Sequence, residues 1–120
     1  MSQVAADLRA LRAFMADPAK FTKMEFARDA DGNGIRNGDT EPVCFCIIGA
    51  IAQLIPPLQD NPQSERRRRV HLALAAVAVE RIPALKAYHG SQIVIGFNDH
   101  RSTTHADILS LVDEAVARLA

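Results

Sequence analysis

Thr40-Glu41-Pro42-Val43-Cys44-Phe45-Cys46-Ile47-Ile48-Gly49-Ala50-Ile51-Ala52-Gln53-Leu54-Ile55-Pro56-Pro57 holds the longest apolar run of the chain. Thr40, Glu41 and Pro42 are helix-start residues, and Val43 to Leu54 is apolar nearly all round, the pattern of a helix running through the centre of a domain. Gly49, Ala50 and Ala52 are small and let another element approach closely. Pro56 and Pro57 stop the helix, because proline lacks the amide hydrogen and disfavours helical backbone before it. With Gln53 inside it, the run is too short for a bilayer, which takes about 20 apolar residues. It reads as a buried core helix.

On the N-terminal side, Ser2 caps a first helix in which Val4, Leu8, Leu11 and Met15 form one apolar stripe, with Asp7, Arg9 and Arg12 mostly off it. Asp17-Pro18 is a second start signal with little after it, so a short turn is expected. Met24 and Phe26 suggest a strand within Lys20 to Arg28, and Asp29 to Gly34 then closes a hairpin onto Ile35. On the C-terminal side, Asn61-Pro62 opens a helix that carries Arg66 to Arg69 and then Val70, Leu72, Leu74, Val77 and Val79. Pro83 breaks it near Ile82, and Gly90 is expected to cap the last turn. Ser91 to Phe97 (SQIVIGF) reads as the best strand of the chain, being β-branched and bounded by turn residues. Thr104 with Asp107 resembles a capping box, and it opens a last helix with Ile108, Val112, Ala115 and Leu119 on one stripe. The expectation is an α+β fold: one small domain over residues 1–120, with about four helices around a central apolar helix and a short antiparallel sheet of two or three strands.

Composition narrows the function classes. The chain has 120 residues, with 14 Lys+Arg against 14 Asp+Glu and 48% hydrophobic residues, which suits a folded domain and not a disordered one. Zero net charge argues against a general nucleic-acid or membrane-surface binder, and 5% aromatics argues against base-stacking platforms. Residues 1–17 carry charges through their apolar positions and do not read as a signal peptide. Cys44 and Cys46, the two cysteines, lie too close together to staple a loop. A reducing, cytoplasmic setting is expected.

Four groups of residues carry chemical possibilities. Asp29-Ala30-Asp31-Gly32-Asn33-Gly34 matches the first half of a calcium loop, with Asp29, Asp31 and Asn33 as oxygen ligands. Arg36 falls where an aliphatic residue is usual, Asn37 is acceptable at the ninth position, and Thr40 replaces the bidentate glutamate, with Glu41 one residue late. The plainer reading is a polar hairpin turn. Cys46, in the first turns of the central helix, is a candidate nucleophile, with His105 (or His100) as base and Asn98 or Asp99 as orienter. Free cysteine is more often buried packing. Asn98 to Thr104 follows the SQIVIGF segment, and with Arg101 and a helix start it offers a place for a small anion or a protein partner. Arg66 to Arg69 fan around a helix and read as a solvated start paired with Asp60, Glu65 and other acids, not as a one-sided nucleic-acid stripe. His71, His89, His100 and His105 lack zinc-ligand spacing, and no cofactor is implied.

Phe45-Cys46-Ile47-Ile48-Gly49-Ala50, Ile95-Gly96-Phe97-Asn98-Asp99 and Thr104-His105-Ala106-Asp107-Ile108-Leu109, taken together, resemble a family of small uncharacterised bacterial and phage proteins. Ala27-Arg28-Asp29-Ala30-Asp31-Gly32 is similar to that family's A-x-D-x-x-G turn. The likeness runs from about Phe26 onward, and it departs where the family often has tryptophan and this chain has Phe45 or Phe97. The resemblance implies a hairpin in preference to a calcium loop, and it directs attention to Cys46, Asn98 and Asp99. It brings no activity. The leading expectation is a binding or interaction module; the alternatives are a thiol-dependent hydrolase or transferase using Cys46, and a calcium loop at 29–41.

Overall fold

Ser2 begins the first helix by accepting the Ala5 amide on its side chain, and α1 runs over Gln3–Phe14 in a computed structural model that describes residues 2–35 and 40–119. Leu8, Leu11 and Met15 are buried as the stripe predicts. Asp7 departs from it: the carboxylate points inward and is buried. Asp17 caps one short 3-10 turn at Pro18–Lys20, the brief element expected there.

The hairpin exists, but its partners differ from the expectation. β1 (Ala27–Arg28) meets Gly34 in a single bridge and pairs antiparallel with β2 (Cys44–Phe45), in register Ala27 with Phe45 and Arg28 with Cys44. Val43 donates its amide to Arg28 O and Cys46 donates to Phe26 O. These bonds hold residues 43–46 extended, so α2 starts later than its apolar pattern suggests, at Ile47, and ends at Leu54. Cys44 is therefore in a strand, and Cys46 is the N-cap of α2 and not part of its first turns. The central placement holds: Ile47, Ile48, Gly49, Ala50 and Ile51 are all buried.

α3 (Ser64–Arg81) ends at Ile82 where Pro83 forbids continuation, and a 3-10 segment covers Pro83–Ala87. The main correction concerns Ser91 to Phe97. This segment is helical within α4 (Gly90–Asp99), and Gly90 opens that helix instead of capping the one before. The β-branched residues misled because burial overrides local propensity. Val94, Phe97 and Asn98 fall at steps of three and one, all buried on the side that packs against α3 and α2. Gly96 permits the contact with the 3-10 segment, since a Cβ there would strike Leu85. The sheet consequently has two strands, and Asn98-Asp99 leaves a helix, not a strand. α5 (His105–Arg118) starts with the capping box of Thr104 and Asp107 and buries Ile108, Leu111, Val112 and Ala115, while Leu119 is exposed. The class is α+β: among the described residues, five α-helices surround one apolar cluster beside a small antiparallel pair. Among the described residues no helix is long and apolar enough to cross a membrane.

Candidate functional site

Three chain segments meet at Cys46: the end of the β2 strand, the last turn of α4, and the loop over residues 22–26. The Sγ of Cys46 accepts the Gly49 amide at 3.3 Å, as an N-cap side chain does. The next residue of that turn, Ile47, gives its amide to Asn98 Oδ1 at 3.0 Å. Asn98 is wholly buried and uses its other end too, donating Nδ2 to Thr22 O at 3.2 Å and to Asp99 Oδ1 at 2.9 Å. Asp99 Oδ1 also receives the Met24 amide at 2.8 Å. Sequence spacing of about fifty residues thus collapses onto one junction. It ties the start of α2, the end of α4 and the 22–26 loop together.

Gly49 completes this junction sterically. A Cβ on Gly49 would overlap the Phe26 carbonyl oxygen, the same oxygen that accepts the Cys46 amide. Cysteine to cap and glycine three residues on to admit the loop explain why these two residue types occur at this spacing.

The chemistry of the thiol follows from its surroundings. Burial raises the Cys46 pKa above the ordinary thiol value, and the Asp99 carboxylate adds to the rise, outweighing the amides of Gly49 and Ile48. A nucleophilic cysteine needs the opposite shift. His105 is engaged elsewhere: its Nε2 lies 2.6 Å from Met15 O, and because a carbonyl only accepts, that nitrogen carries the proton. The ring also tilts against Phe21, centroids 5.9 Å apart. His100 takes the Ser102 amide on Nδ1 and sits 2.7 Å from the Ser102 hydroxyl. The structure therefore unites Cys46, Asn98 and Asp99, and bonds neither histidine to the sulfur.

Asp29, Asp31 and Asn33 form the turn of the hairpin. Asp29 Oδ1 accepts the amides of Asp31 and Asn33, each at 3.0 Å, and Oδ2 accepts the Thr40 hydroxyl. These bonds hold the Asp29 carboxyl below its ordinary pKa. The expected positions at Arg36 and Asn37 lie outside the described residues. Among the described residues no group of three or more His, Cys, Asp or Glu side chains is placed to hold a metal. Beyond Asn98, the start of α5 is occupied by its own capping box, with Asp107 Oδ2 accepting the Thr104 amide at 2.8 Å.

Two features carried no sequence signal. Lys23 reaches back to donate its Nζ to His100 O and to Thr103 O, the latter at 2.8 Å, pinning the 22–26 loop to the α4–α5 corner. Arg66 makes a bidentate pair with the buried Asp7 at 2.9 and 2.7 Å, which joins α1 to α3. Of the two acids expected to pair with the arginine run, Glu65 does so, through Arg68 and Arg69. Beside Asp7 and Arg66 lies a cleft of about 360 Å³ bordered by Gln3, Asn61, Gln63 and Arg69. An apolar groove of about 440 Å³ runs between Leu85, Tyr88 and Ile95.

Over residues 1–118 the chain matches the family described as "Family of unknown function (DUF6197)", and it belongs to that family. No curated protein and no solved structure matches it. No activity is assignable from the family.

Proposed function

We propose that this chain is a small, single-domain binding protein in which Cys46, Asn98, Asp99 and His105 hold the scaffold and perform no chemistry. The observation that carries the reading is that the polar side chains central to the junction are already bonded within the molecule. Asn98 is satisfied at both ends of its amide, His105 is committed to Met15 O, and the thiol is buried with its pKa raised. Such a junction makes the 22–26 loop rigid. Met24 takes a left-handed backbone (φ 69°), a conformation uncommon outside glycine, and the residue is 70% exposed. Phe26 and Val43 beside the sheet are exposed as well. A loop held in a strained conformation with apolar tips outward loses little further entropy on binding, which favours contact with a protein partner.

A cytoplasmic setting is supported by two cysteines that are free. A bacterial or phage setting is supported by the resemblance of the cysteine-helix and Asn-Asp motifs. The test is iodoacetamide labelling of the intact native chain near neutral pH, followed by peptide mapping. Cys46 is expected to remain unmodified until the protein is unfolded. Rapid modification of Cys46 in the native state would favour the thiol-enzyme reading instead.

A further inference from the structure

His71 takes no part in the Cys46 junction or in the Asp7–Arg66 pair. It lies on α3 one turn beyond Arg67, and its Nε2 is buried with no hydrogen-bond partner among the described residues. Buried polar atoms are nearly always bonded, so an orphan calls for an explanation. A neutral imidazole has one bare nitrogen and one N–H. A bare Nε2 is tolerated in that position, with the proton on Nδ1. A second proton would place both an N–H and a positive charge where nothing accepts them.

Arg67 adds to this. It stands four residues before His71 on the same helix, and its positive charge opposes a second one on the ring. Arg67 also holds the backbone, donating to the carbonyl of Ile55, the C-cap of α2, at 2.9 Å. Four residues earlier, Gln63 donates to Pro56 O at 2.6 Å. These two bonds tie the connection between α2 and α3 to the first turns of α3.

We propose that His71 is an acid-sensitive latch on the α2–α3 connection: seated while neutral, it turns its Nε2 out of its buried place on taking up a second proton, and the new cation loosens Arg67 from Ile55. Burial, and then Arg67, push the ring's pKa below the ordinary histidine value. The sign follows. The native state resists the proton that the unfolded chain accepts, so the contribution is complete above about pH 6.5 and declines as pH falls from there to the folded pKa. The latch is closed while the ring is neutral and opens as pH falls through the folded pKa.

The test is an NMR titration of the intact chain between pH 7.5 and 4.5, following the His71 ring protons and the backbone amides of Ile55 and Gln63. The expected result is a His71 midpoint below the ordinary histidine value, with both amides shifting at the same midpoint. In His71→Gln those amides should stay still over that range. The variant's folding equilibrium should also lose the part of the pH dependence that His71 supplies, about tenfold for each unit by which the pKa is displaced. A midpoint at or above the ordinary value, or amides that stay fixed while His71 titrates, overturns the proposal. Should His71→Gln fail to fold, the titration of the unaltered chain decides alone.

Discussion

Asn98→Ala is the substitution that weighs most heavily on this account. It removes the acceptor of the Ile47 amide and the donor to Thr22 O and Asp99 Oδ1. Ile47 and Asn98 are both fully buried, so water cannot replace the lost acceptor, and orphaning that amide costs about 1–3 kcal/mol. Thr22 is only half-buried and its carbonyl can recover a water. The space vacated by the carboxamide adds a smaller loss, and the total comes to about 3 kcal/mol. For a domain of this size that lowers Tm by about 12 °C. Urea unfolding of the unaltered and substituted chains at pH 7, with m compared between them, measures it. Asn98→Asp refines the test, because it preserves the acceptor but sets a second carboxylate against Asp99. Like charge and burial raise the pKa of the introduced group above its unfolded value. Its stability is then higher below about pH 4 and is lost as pH rises through the folded pKa. A loss for Asn98→Ala below about 1 kcal/mol, with an unchanged m, would mean that the junction is not what holds the three segments.

Further outcomes follow from the same geometry. Asp7→Ala should cost about 2 kcal/mol by urea unfolding, less than a fully buried pair because Arg66 is 38% exposed and regains water. The Arg66 guanidinium holds the Asp7 carboxyl below its ordinary value, so this contribution is present above about pH 4 and disappears as pH falls through the folded pKa; the gap between the two chains should narrow accordingly. Gly49→Ala should cost more than about 3 kcal/mol or prevent folding, judged by circular dichroism and melting, because the Phe26 carbonyl cannot retreat without losing its bond to the Cys46 amide. Calorimetric titration with millimolar calcium should give no heat of binding, since the Asp29 oxygens are already held by Asp31, Asn33 and Thr40.

What could be read in advance divides by physical cause. The Leu8, Leu11 and Met15 stripe, the Asp17-Pro18 turn, the Pro83 break and the Thr104–Asp107 box are local, encoded within a few residues, and all appear as expected. SQIVIGF went the other way: its β-branched residues favour a strand, but the burial of Val94 and Phe97 against α3 and α2 made it helical. The start of α2 lies later than the apolar pattern suggests because pairing with Ala27 and Arg28, residues far back in the chain, keeps Val43 to Phe45 extended. At the junction, Asn98 holds the Ile47 amide of the turn that Cys46 caps, and Asp99 bonds to Asn98. Their partners Thr22, Lys23 and Met24 were not foreseen, for backbone carbonyls and amides leave no trace in residue type. Asp7 looked like a charge beside an apolar stripe. Its partner lies 59 positions away, and no local pattern announces it.

The most direct single measurement is the ionisation of the Cys46 thiol, followed by thiolate absorbance near 240 nm in the folded Cys44→Ala chain. Burial beside Asp99 predicts a midpoint above that of an ordinary cysteine, with no thiolate formed at neutral pH. A midpoint below that of an ordinary cysteine would show a thiol prepared for attack, and it would contradict the assignment of this junction to architecture.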